Sequence, residues 1–421
     1  EKDIIIPQFV FEHVISGSLN VIDGAPFNPG DDSTLLADFK KKIQALKLSE
    51  VEQKLLLDEA SVALLTSVGP AYQSLISYLE GLQQQAGSDD GVWRFTDGAA
   101  FYQHRITTTD LTAAQIHQLG LDEVARIHDE MRAIMQQVKF DGTLAEFFVF
   151  MREDPQFYYP DTAEGRTAYL TEATRVIDDM KSRLDTLFRV KPQADMIVKA
   201  VEPFREKSAG KAFYQRPSMD GSRPGVYYAN LYQMQDMPTY QLEALAYHEG
   251  IPGHHMQLAI AQELEDMPKF RRFGGYTAYI EGWGLYSEVL PKDIGLYQDP
   301  YSDFGRLAME LWRACRLVVD TGIHDKKWTR EQAIDYLVEN TPNSATDATK
   351  AIERYIVMPG QATAYKIGMI KMLELREKAR TALGDSFDIR DFHDVVLRNG
   401  AVPLDVLAQL VDDYITEAKS E

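Results

Sequence analysis

Helical periodicity runs through almost the whole chain and restricts its fold more than any other feature. Apolar residues recur at intervals of three and four positions, and this spacing places them along one face of an α-helix. The stretches with this pattern are 32–48, 50–67, 112–137, 162–188, 240–265, 276–289, 304–321, 329–340, 345–355, 362–383 and 404–417. The sequence therefore predicts a mainly α protein built from many helices.

One segment departs from the helical pattern. Residues 211–232 read KAFYQRPSMDGSRPGVYYANLY, in which aromatic and β-branched residues flank Asp-Gly and Pro-Gly turns. We expect a hairpin or a small antiparallel sheet here. A weak boundary near residue 190 divides the chain into an N-terminal helical lobe, 1–190, and a catalytic helical lobe, 191–421, that carries most of the motifs. We expect these two lobes to form one compact unit.

Composition and charge exclude several functional classes. The chain has 421 residues, of which 45% are hydrophobic and 26% charged, as in a folded protein with a large core. A formal net charge of −20 disfavours nucleic acid, because its phosphates would be repelled, and leaves peptides or small molecules as partners. The single cysteine, Cys315, precludes an internal disulfide and a cysteine-based zinc cluster. Any metal therefore falls to histidine and carboxylate ligands.

The sequence also bears on membranes and targeting. No run approaches the roughly 18 apolar residues that a membrane-spanning helix needs, and no apolar signal segment opens the chain. The sequence starts at Glu1 without a methionine, which is typical of a processed or trimmed chain and is compatible with the earlier removal of a targeting signal. Nothing in the sequence indicates an oligomeric state.

The stretch 247–258, YHEGIPGHHMQL, approaches a zinc-protease motif. The regular motif, H-E-x-x-H, places two histidines four residues apart on one helix, whereas proline stands here at the position of the second histidine. On a straight helix His248 would lie roughly 9 Å along the axis from His254 and about 10.5 Å from His255, which is too far for one ion. The Gly-Ile-Pro-Gly residues 250–253 permit a break that brings the imidazoles together.

A second window supplies carboxylates. Residues 279–288 read YIEGWGLYSE, and Glu281 and Glu288 are seven positions apart, so a helix presents both on one face. Gly282 and Gly284 let another backbone or a ligand approach this helix closely. A carboxylate from a neighbouring helix would complete a catalytic zinc site that keeps an open position for water. Both glutamates are equally compatible with a solvated helix face.

Four blocks of sequence carry a family resemblance: HEGIPGHHMQ at 248–257, YIEGWGLYSE at 279–288, VVDTGIHDKKWT at 318–329 and RYIVMPGQATAYKIG at 354–368. In this order they resemble the domain-of-unknown-function 885 family of bacterial proteins, and residues 107–127 extend the similarity to nearly the whole chain. The resemblance implies a helical, two-lobed, zinc-peptidase-like fold related to the thimet-oligopeptidase and carboxypeptidase-Taq groups. Family members often carry a secretion or lipoprotein signal, which implies the cell envelope or periplasm.

The resemblance also implies roles for individual residues. The related peptidases carry a regular H-E-x-x-H and a downstream glutamate ligand, whereas two residues are inserted here. On this basis His248 and His254 are the expected zinc ligands, with His255 as the rival for the second position, and Glu281 is the third ligand. Glu249 is the expected general base that takes a proton from the attacking water and passes it to the leaving amine.

Two further residues are candidates for stabilising the oxyanion that forms when a peptide carbonyl is attacked. Tyr365 resembles the phenol that assists zinc in the related peptidases, and a helix from residue 360 would show Gln361 and Tyr365 on one face. His324 lies in the block at 318–329, where we expect a loop between helices. A tyrosine in the core and a histidine that caps a helix are the alternative structural interpretations.

The candidate substrate-binding residues are Arg354, Gln361 and Tyr228. Arg354 can hold a substrate carboxylate through two hydrogen bonds, although a structural ion pair is equally consistent. Tyr228, together with Tyr227, is expected to line the cleft beside an edge strand that pairs with an extended peptide.

These expectations converge on a zinc metallopeptidase that acts on peptides or peptide-like amides in a helical cleft. Three alternatives stay open: a metal-dependent hydrolase of a non-peptide amide or ester, a non-catalytic helical binding protein, and a structural helical scaffold. Zinc follows from the resemblance, since histidine and carboxylate ligands suit several divalent ions.

Overall fold

The chain forms two compact units. The computed structural model describes residues 4–203, 205–207 and 209–420. The first unit is Glu1–Asp90 and the second is Gly91–Glu421. The lobe boundary that the sequence places near residue 190 falls inside the second unit and stays a prediction.

The first unit is helical. Its elements are α1 (Gln8–Val21), α2 (Thr34–Gln44), α3 (Glu50–Ala63) and α4 (Gly69–Gln83). A π-helical turn, Leu64–Val68, joins α3 to α4. Ser49 begins α3 with a capping box, in which its hydroxyl accepts from the Glu52 backbone N–H and the Glu52 carboxylate accepts from the Ser49 backbone N–H. This cap fixes the start of α3 at the residue where the sequence predicts it.

The second unit contains most of the helices and the functional motifs. Its helices are α5 (Gly98–Arg105), α6 (Ala113–Gln137), α7 (Leu144–Glu153), α8 (Ala163–Arg183), α9 (Leu242–Glu249), α10 (His254–Glu263), α11 (Lys269–Phe273), α12 (Thr277–Ser287), α13 (Leu290–Asp293), α14 (Pro300–His324), α15 (Arg330–Asn340), α16 (Ala345–Val357), α17 (Ala364–Leu383), α18 (Ile389–Leu397) and α19 (Leu404–Ala418). The predicted mainly α fold class is confirmed. No helix in the described ranges is long and apolar enough to cross a bilayer.

Several helices lie outside the predicted stretches, including α1, α5, α7 and α18. In α7 the residues FFVFM are apolar on consecutive positions, so no three- and four-residue alternation stands out. The eight residues of α5 are too few to show two full periods of the pattern. Uniform hydrophobicity in α7 and short length in α5 therefore hide the helical period of these two helices.

A small sheet stands between α8 and α9 in the sequence. It contains β1 (Met196–Ala200), β2 (Ala212–Gln215) and β3 (Gly225–Ala229) in the order β1-β3-β2. The predicted hairpin is confirmed, since β2 pairs antiparallel with β3, but β1 was missed and pairs parallel with β3, which makes the sheet mixed. Because β3 is the central strand, neither of its edges is free along this pairing to accept an extended peptide.

Two contacts fix α12, α14 and α17 relative to one another. A Cβ atom added to Gly282 would lie 2.5 Å from the Cα of Gly368, so the backbones of α12 and α17 touch at these two glycines. The Lys366 ammonium on α17 lies 2.6 Å from the buried Glu310 carboxylate on α14 and 2.8 Å from Glu123 on α6. The helices that carry Glu281, Arg316 and Tyr365 are thereby held together.

Candidate metal centre

The predicted break in the helix lies at residues 250–253. Helix α9 ends at Glu249 and α10 begins at His254, with a cis Ile251–Pro252 peptide between them. A Cβ on Gly253 would lie 2.0 Å from the His248 carbonyl oxygen, so the backbones approach here in a way that only glycine permits. The single helix predicted over 240–265 is therefore two helices.

The break brings two imidazole rings together. The ring centroids of His248 and His254 lie 4.7 Å apart, with the ring planes at 84°. The connecting loop is held by Trp283, whose indole N–H lies 3.0 Å from the Pro252 carbonyl oxygen and 3.2 Å from that of Gly253. A fully buried side chain on α12 thus sets the path of the chain between the two histidines.

His248, His254 and Glu281 converge at one point. The Nε2 atoms of the two histidines lie 3.8 Å and 3.5 Å from the Oε2 atom of Glu281, and one ligand atom from each of the three residues lies within 4.8 Å of the others. A tetrahedral zinc ion with ligands at about 2.0–2.2 Å separates its ligand atoms by roughly 3.4 Å. The spacing and the donor set of two imidazoles and one carboxylate therefore fit a catalytic zinc site.

The pKa values of His248 and Glu281 reflect their close approach. Burial lowers the pKa of His248, but hydrogen bonds to Glu281 and Glu288 outweigh it and raise this pKa to about 9. Burial would raise the pKa of Glu281, yet its hydrogen bonds to the two imidazoles bring that pKa well below its usual range. A divalent cation would displace the proton from His248, because a metal-bound imidazole must be neutral.

Glu288 supports the site from behind His248. Its Oε1 atom lies 2.7 Å from the Nδ1 atom of His248, and the carboxylate is almost completely buried. A carboxylate on Nδ1 orients the ring and leaves Nε2 directed at the cluster, as is usual for metal-binding histidines. Sequence reasoning placed Glu288 on the same helix face as Glu281 but gave it no role, and the seven-residue spacing was the signal that could have shown it.

Gly284 makes room for the two imidazoles. A Cβ atom at this position would lie 2.8 Å from Cε1 and 2.9 Å from Nε2 of His248, and 3.1 Å from Cε1 of His254. The α12 backbone therefore lies against both rings, one helical turn after Glu281. The sequence predicts that a glycine in YIEGWGLYSE lets another group approach the helix closely. At Gly284 the groups that approach the backbone are the two histidine rings.

Glu249, the expected general base, ends α9 directly beside His248 and is mostly buried. One of its neighbours is Tyr227 on β3. Burial raises the pKa of Tyr227 well above its usual value, and the charges of Tyr169 and Glu249 add to this effect. Within the described residues the Tyr227 hydroxyl has no partner in hydrogen-bond geometry. The Glu249 carboxylate therefore borders a phenol as well as the metal cluster.

His255 lies outside the cluster, although it is adjacent to His254 in the sequence. Its Nε2 atom lies 3.0 Å from the Ala194 carbonyl oxygen, and its Nδ1 atom lies 2.8 Å from the Tyr214 hydroxyl. Burial lowers the pKa of His255 to about 4, so the ring is neutral. Both of its nitrogens are engaged away from Glu281.

Tyr365 occupies the second position of α17, after a 3-10 turn at Gln361–Thr363. The guanidinium carbon of Arg316 on α14 lies 4.5 Å from the centroid of its ring. Sequence reasoning missed Arg316. The signal that could have found it is a cation within LWRACRLVV, where the flanking residues are apolar.

His324 is the last residue of α14, so the expected loop between helices at this position is wrong. Its Nδ1 atom accepts from the Val92 backbone N–H at 3.3 Å, and its Nε2–H donates to the Tyr355 carbonyl oxygen at 3.0 Å. Burial lowers the pKa of His324 to about 4. Both ring nitrogens are thus engaged by backbone groups.

The three expected substrate-binding residues lie in two places. Arg354 is exposed, and its Nη2 atom lies 3.4 Å from the Gln361 side-chain oxygen. The ring of Tyr228 stacks on Phe213, with centroids 4.9 Å apart, and the guanidinium of Arg205 lies over it at 4.8 Å. The structure brings Arg354 and Gln361 together, but Tyr228 packs within the sheet.

Residues 1–411 match the family model described as "Bacterial protein of unknown function (DUF885)". The chain belongs to this family. The family predicted from the four sequence blocks is therefore confirmed, and the DUF885 match spans almost the whole chain.

Solved structures similar to this DUF885 chain are described as candidate lipoproteins. One, from Colwellia psychrerythraea, is 39% identical with a TM-score of 0.90, and the alignment covers 98% of this chain and 71% of the other. Another, of unknown function and from Shewanella oneidensis, is 19% identical with a TM-score of 0.74, covering 96% and 73%. A candidate oligoendopeptidase F from Bacillus anthracis strain Ames is distant, at 12% identity and a TM-score of 0.37 over 98% and 73%. No curated protein sequence matches the chain.

Proposed function

We propose that this protein is a zinc-dependent metallopeptidase that hydrolyses amide bonds in peptides. The observation that supports this most strongly is the convergence of His248, His254 and Glu281, with ligand atoms within 4.8 Å of one another. Two features favour a catalytic over a structural site. The protein supplies three ligands, which leaves a coordination position open, and a further carboxylate, Glu249, adjoins the cluster.

The proposed ligands are His248 and His254 through Nε2 and Glu281 through its carboxylate. A zinc ion held by them supplies Lewis-acid activation of water and of the scissile carbonyl group. We choose His254 over His255 because both nitrogens of His255 are already hydrogen-bonded elsewhere. Glu288 holds the His248 ring in the tautomer that directs Nε2 at the cluster.

The chain's own residues carry the proton transfers. Glu249 accepts a proton from the attacking water while the carbon–oxygen bond forms, and it then gives this proton to the amine as the carbon–nitrogen bond breaks. The products are a carboxylate and an amine. The Tyr365 hydroxyl donates to the oxyanion that develops on the former carbonyl. We propose a structural role for His324 in place of the oxyanion role expected from the sequence.

We also propose that the protein acts in the cell envelope. Its family resemblance includes members with secretion or lipoprotein signals, and the two more similar solved structures are described as candidate lipoproteins. Fractionation of the native protein to the cell envelope is the expected result. Recovery of the native protein in the cytoplasmic fraction would contradict this localisation.

The decisive experiment compares the wild type with Glu249→Gln on a mixed peptide library, read out by mass spectrometry after loading with zinc. Loss of a general base should reduce the rate by about 10²- to 10⁴-fold without changing the bound zinc. Glu265→Gln, an exposed glutamate beyond α10, is the matched control and should keep full activity. Stoichiometric zinc should be found by elemental analysis.

Three outcomes would count against the proposal. Absence of stoichiometric metal, with no effect of a chelator on stability, favours a non-catalytic binding protein. Hydrolysis of esters or non-peptide amides but of no peptide in the library favours the other hydrolase class. Retention of peptide hydrolysis by Glu249→Gln excludes the assigned base.

A further inference from the structure

Arg316 is a cation that has no role in the proposed metal site. It lies on α14, half-buried, in a protein whose net charge is −20. Its guanidinium carbon lies 4.5 Å from the Tyr365 ring centroid and 5.6 Å from that of Tyr355. Both distances are in the range of cation–π contacts. The cation is therefore held between two aromatic rings beside the proposed catalytic tyrosine.

Arg316 has no carboxylate partner within the described part of the chain. It forms no ion pair there, and its Nε atom is buried without a hydrogen-bond partner. The hydroxyl of Tyr355, whose ring faces the same guanidinium, is buried without a partner at full hydrogen-bond distance and angle, and its interaction with Arg316 itself helps to raise the pKa of Arg316. Buried polar groups are normally satisfied, so the Arg316 Nε and the Tyr355 hydroxyl keep hydrogen-bonding capacity for a ligand that accepts from both.

Arg316 lies close enough to the metal cluster for their charges to interact. Burial lowers its pKa, but attraction from Tyr355, Tyr365 and Glu281 outweighs burial and keeps it raised. Glu281 is a proposed metal ligand, so an anion bound at Arg316 would lie beside the reacting amide. The contact between Lys366 and Glu310 anchors α17 to α14 and thereby holds Tyr365 against Arg316.

We infer that Arg316 and the Tyr355 hydroxyl bind a substrate carboxylate, so that the enzyme acts on peptides that carry a carboxylate next to the scissile bond. The guanidinium fork matches a carboxylate in geometry and charge, and the hydroxyl adds a third donor. Two sources supply this group: the free C-terminus of a peptide and an acidic side chain. We assign the C-terminus, because each peptide has one such group at a fixed distance from its last amide bond.

Arg354, the residue that the sequence favoured for this role, is less suited to it. Its guanidinium is exposed and already contacts Gln361. An exposed cation is hydrated, so a carboxylate gains less there than at a guanidinium that burial has partly dehydrated. Arg316 thus replaces Arg354 as the proposed specificity-determining residue of the site. This inference rests on the proposed peptidase function.

A binding experiment tests recognition separately from catalysis. Zinc-loaded Glu249→Gln is titrated by calorimetry with N-acetyl-alanyl-phenylalanine, with its C-terminal amide, and with the amide of N-acetyl-alanyl-aspartate. The free acid should bind roughly 10- to 100-fold more tightly than either amide, as expected for hydrogen bonds to a charged group. Adding Arg316→Gln should reduce this preference to less than about threefold.

Arg380→Gln is the matched control, because it removes the same charge from an exposed position on α17 and should retain the preference for the acid. Rates on libraries of peptide acids and matched amides should follow the same order in the enzyme with Glu249 intact. Equal binding of acid and amide, or an undiminished preference in Arg316→Gln, would overturn the inference. Tighter binding of the aspartate amide would overturn the assignment to the C-terminus. A preference for the acid in binding, without hydrolysis of either library, would reject the peptidase proposal and leave carboxylate recognition supported.

Discussion

The Nδ1 atom of His248 lies 2.7 Å from the Oε1 atom of Glu288, while its Nε2 atom is directed at Glu281. One imidazole therefore joins two carboxylates of the same helical region, one on each side of the ring. Because a carboxylate behind a histidine fixes its orientation and raises its basicity, Glu288→Gln should weaken metal binding by roughly 10- to 100-fold. Competition with a chelating dye at neutral pH measures this change.

Glu265→Gln is again the appropriate control for the loss of one negative charge. Circular dichroism should show that both variants are folded. If Glu288→Gln binds zinc as tightly as the wild type, the carboxylate behind His248 has no part in holding the metal.

Gly284→Ala should disturb the same site through packing. The added methyl group would lie under 3 Å from the His248 ring, and overpacking of this kind destabilises a folded protein by about 1–3 kcal/mol. Part of this loss is offset, since alanine favours helix over glycine by up to about 1 kcal/mol. Metal affinity should fall, since the ring must move to relieve the contact.

Gly81→Ala provides the comparison, because nothing lies within 4 Å of a Cβ at that position on α4. It should leave metal affinity unchanged and raise stability by a few tenths of a kcal/mol to about 1 kcal/mol. Chemical denaturation and dye competition measure both quantities. Similar behaviour of the two alanine variants would show that the α12 backbone does not confine the histidines.

Stability should fall in mild acid because buried imidazoles, among them those of His324 and His393, resist protonation. Burial lowers the pKa of His324 to about 4 and that of His393 to about 3, whereas the unfolded chain titrates near the ordinary value of about 6.5. Below pH of about 6.5 the unfolded state binds protons that the folded state does not. Each group should therefore lower the free energy of unfolding by about 2 kcal/mol between pH 7 and pH 5.

His324→Asn isolates one of these contributions. The variant should be less stable at pH 7. Its free energy of unfolding should also fall less steeply as the pH decreases, because near pH 5 its unfolding takes up roughly one proton fewer per molecule than unfolding of the wild type. Urea denaturation with chelator present, at pH 7, 6 and 5, gives the slopes. Parallel slopes for wild type and variant would mean that His324 titrates normally in the folded protein.

The sequence was informative wherever local chemistry decides the structure. Apolar periodicity located helices such as α6 and α15, each of which has a capping box in the structure at the start of the predicted stretch. The Gly-Ile-Pro-Gly segment indicated a break, because proline and glycine cannot continue a regular helix. The spacing of Glu281 and Glu288 correctly placed both on the side of α12 that faces His248.

The rest depends on contacts between residues that are far apart in the chain. Arg316 and Tyr355 are 39 positions apart, and no local pattern reveals that their polar atoms are buried together without partners. The partners of His324, Val92 and Tyr355, lie on other elements, so its block looked like a catalytic loop. The sequence also did not reveal the parallel pairing of β1 with β3, because a short strand that no tight turn joins to its partner gives no hairpin signal.

In a regular H-E-x-x-H helix the pitch of the helix itself fixes the distance between the two histidines. Here the two rings belong to separate helices, and their separation is set by how the 250–253 loop is seated on Trp283. Small changes in that packing can alter the distance between the two imidazole rings without any substitution of His248 or His254. In the proposed metallopeptidase, substitutions of hydrophobic residues around the loop would therefore change metal affinity and preference, a route that a continuous helix closes.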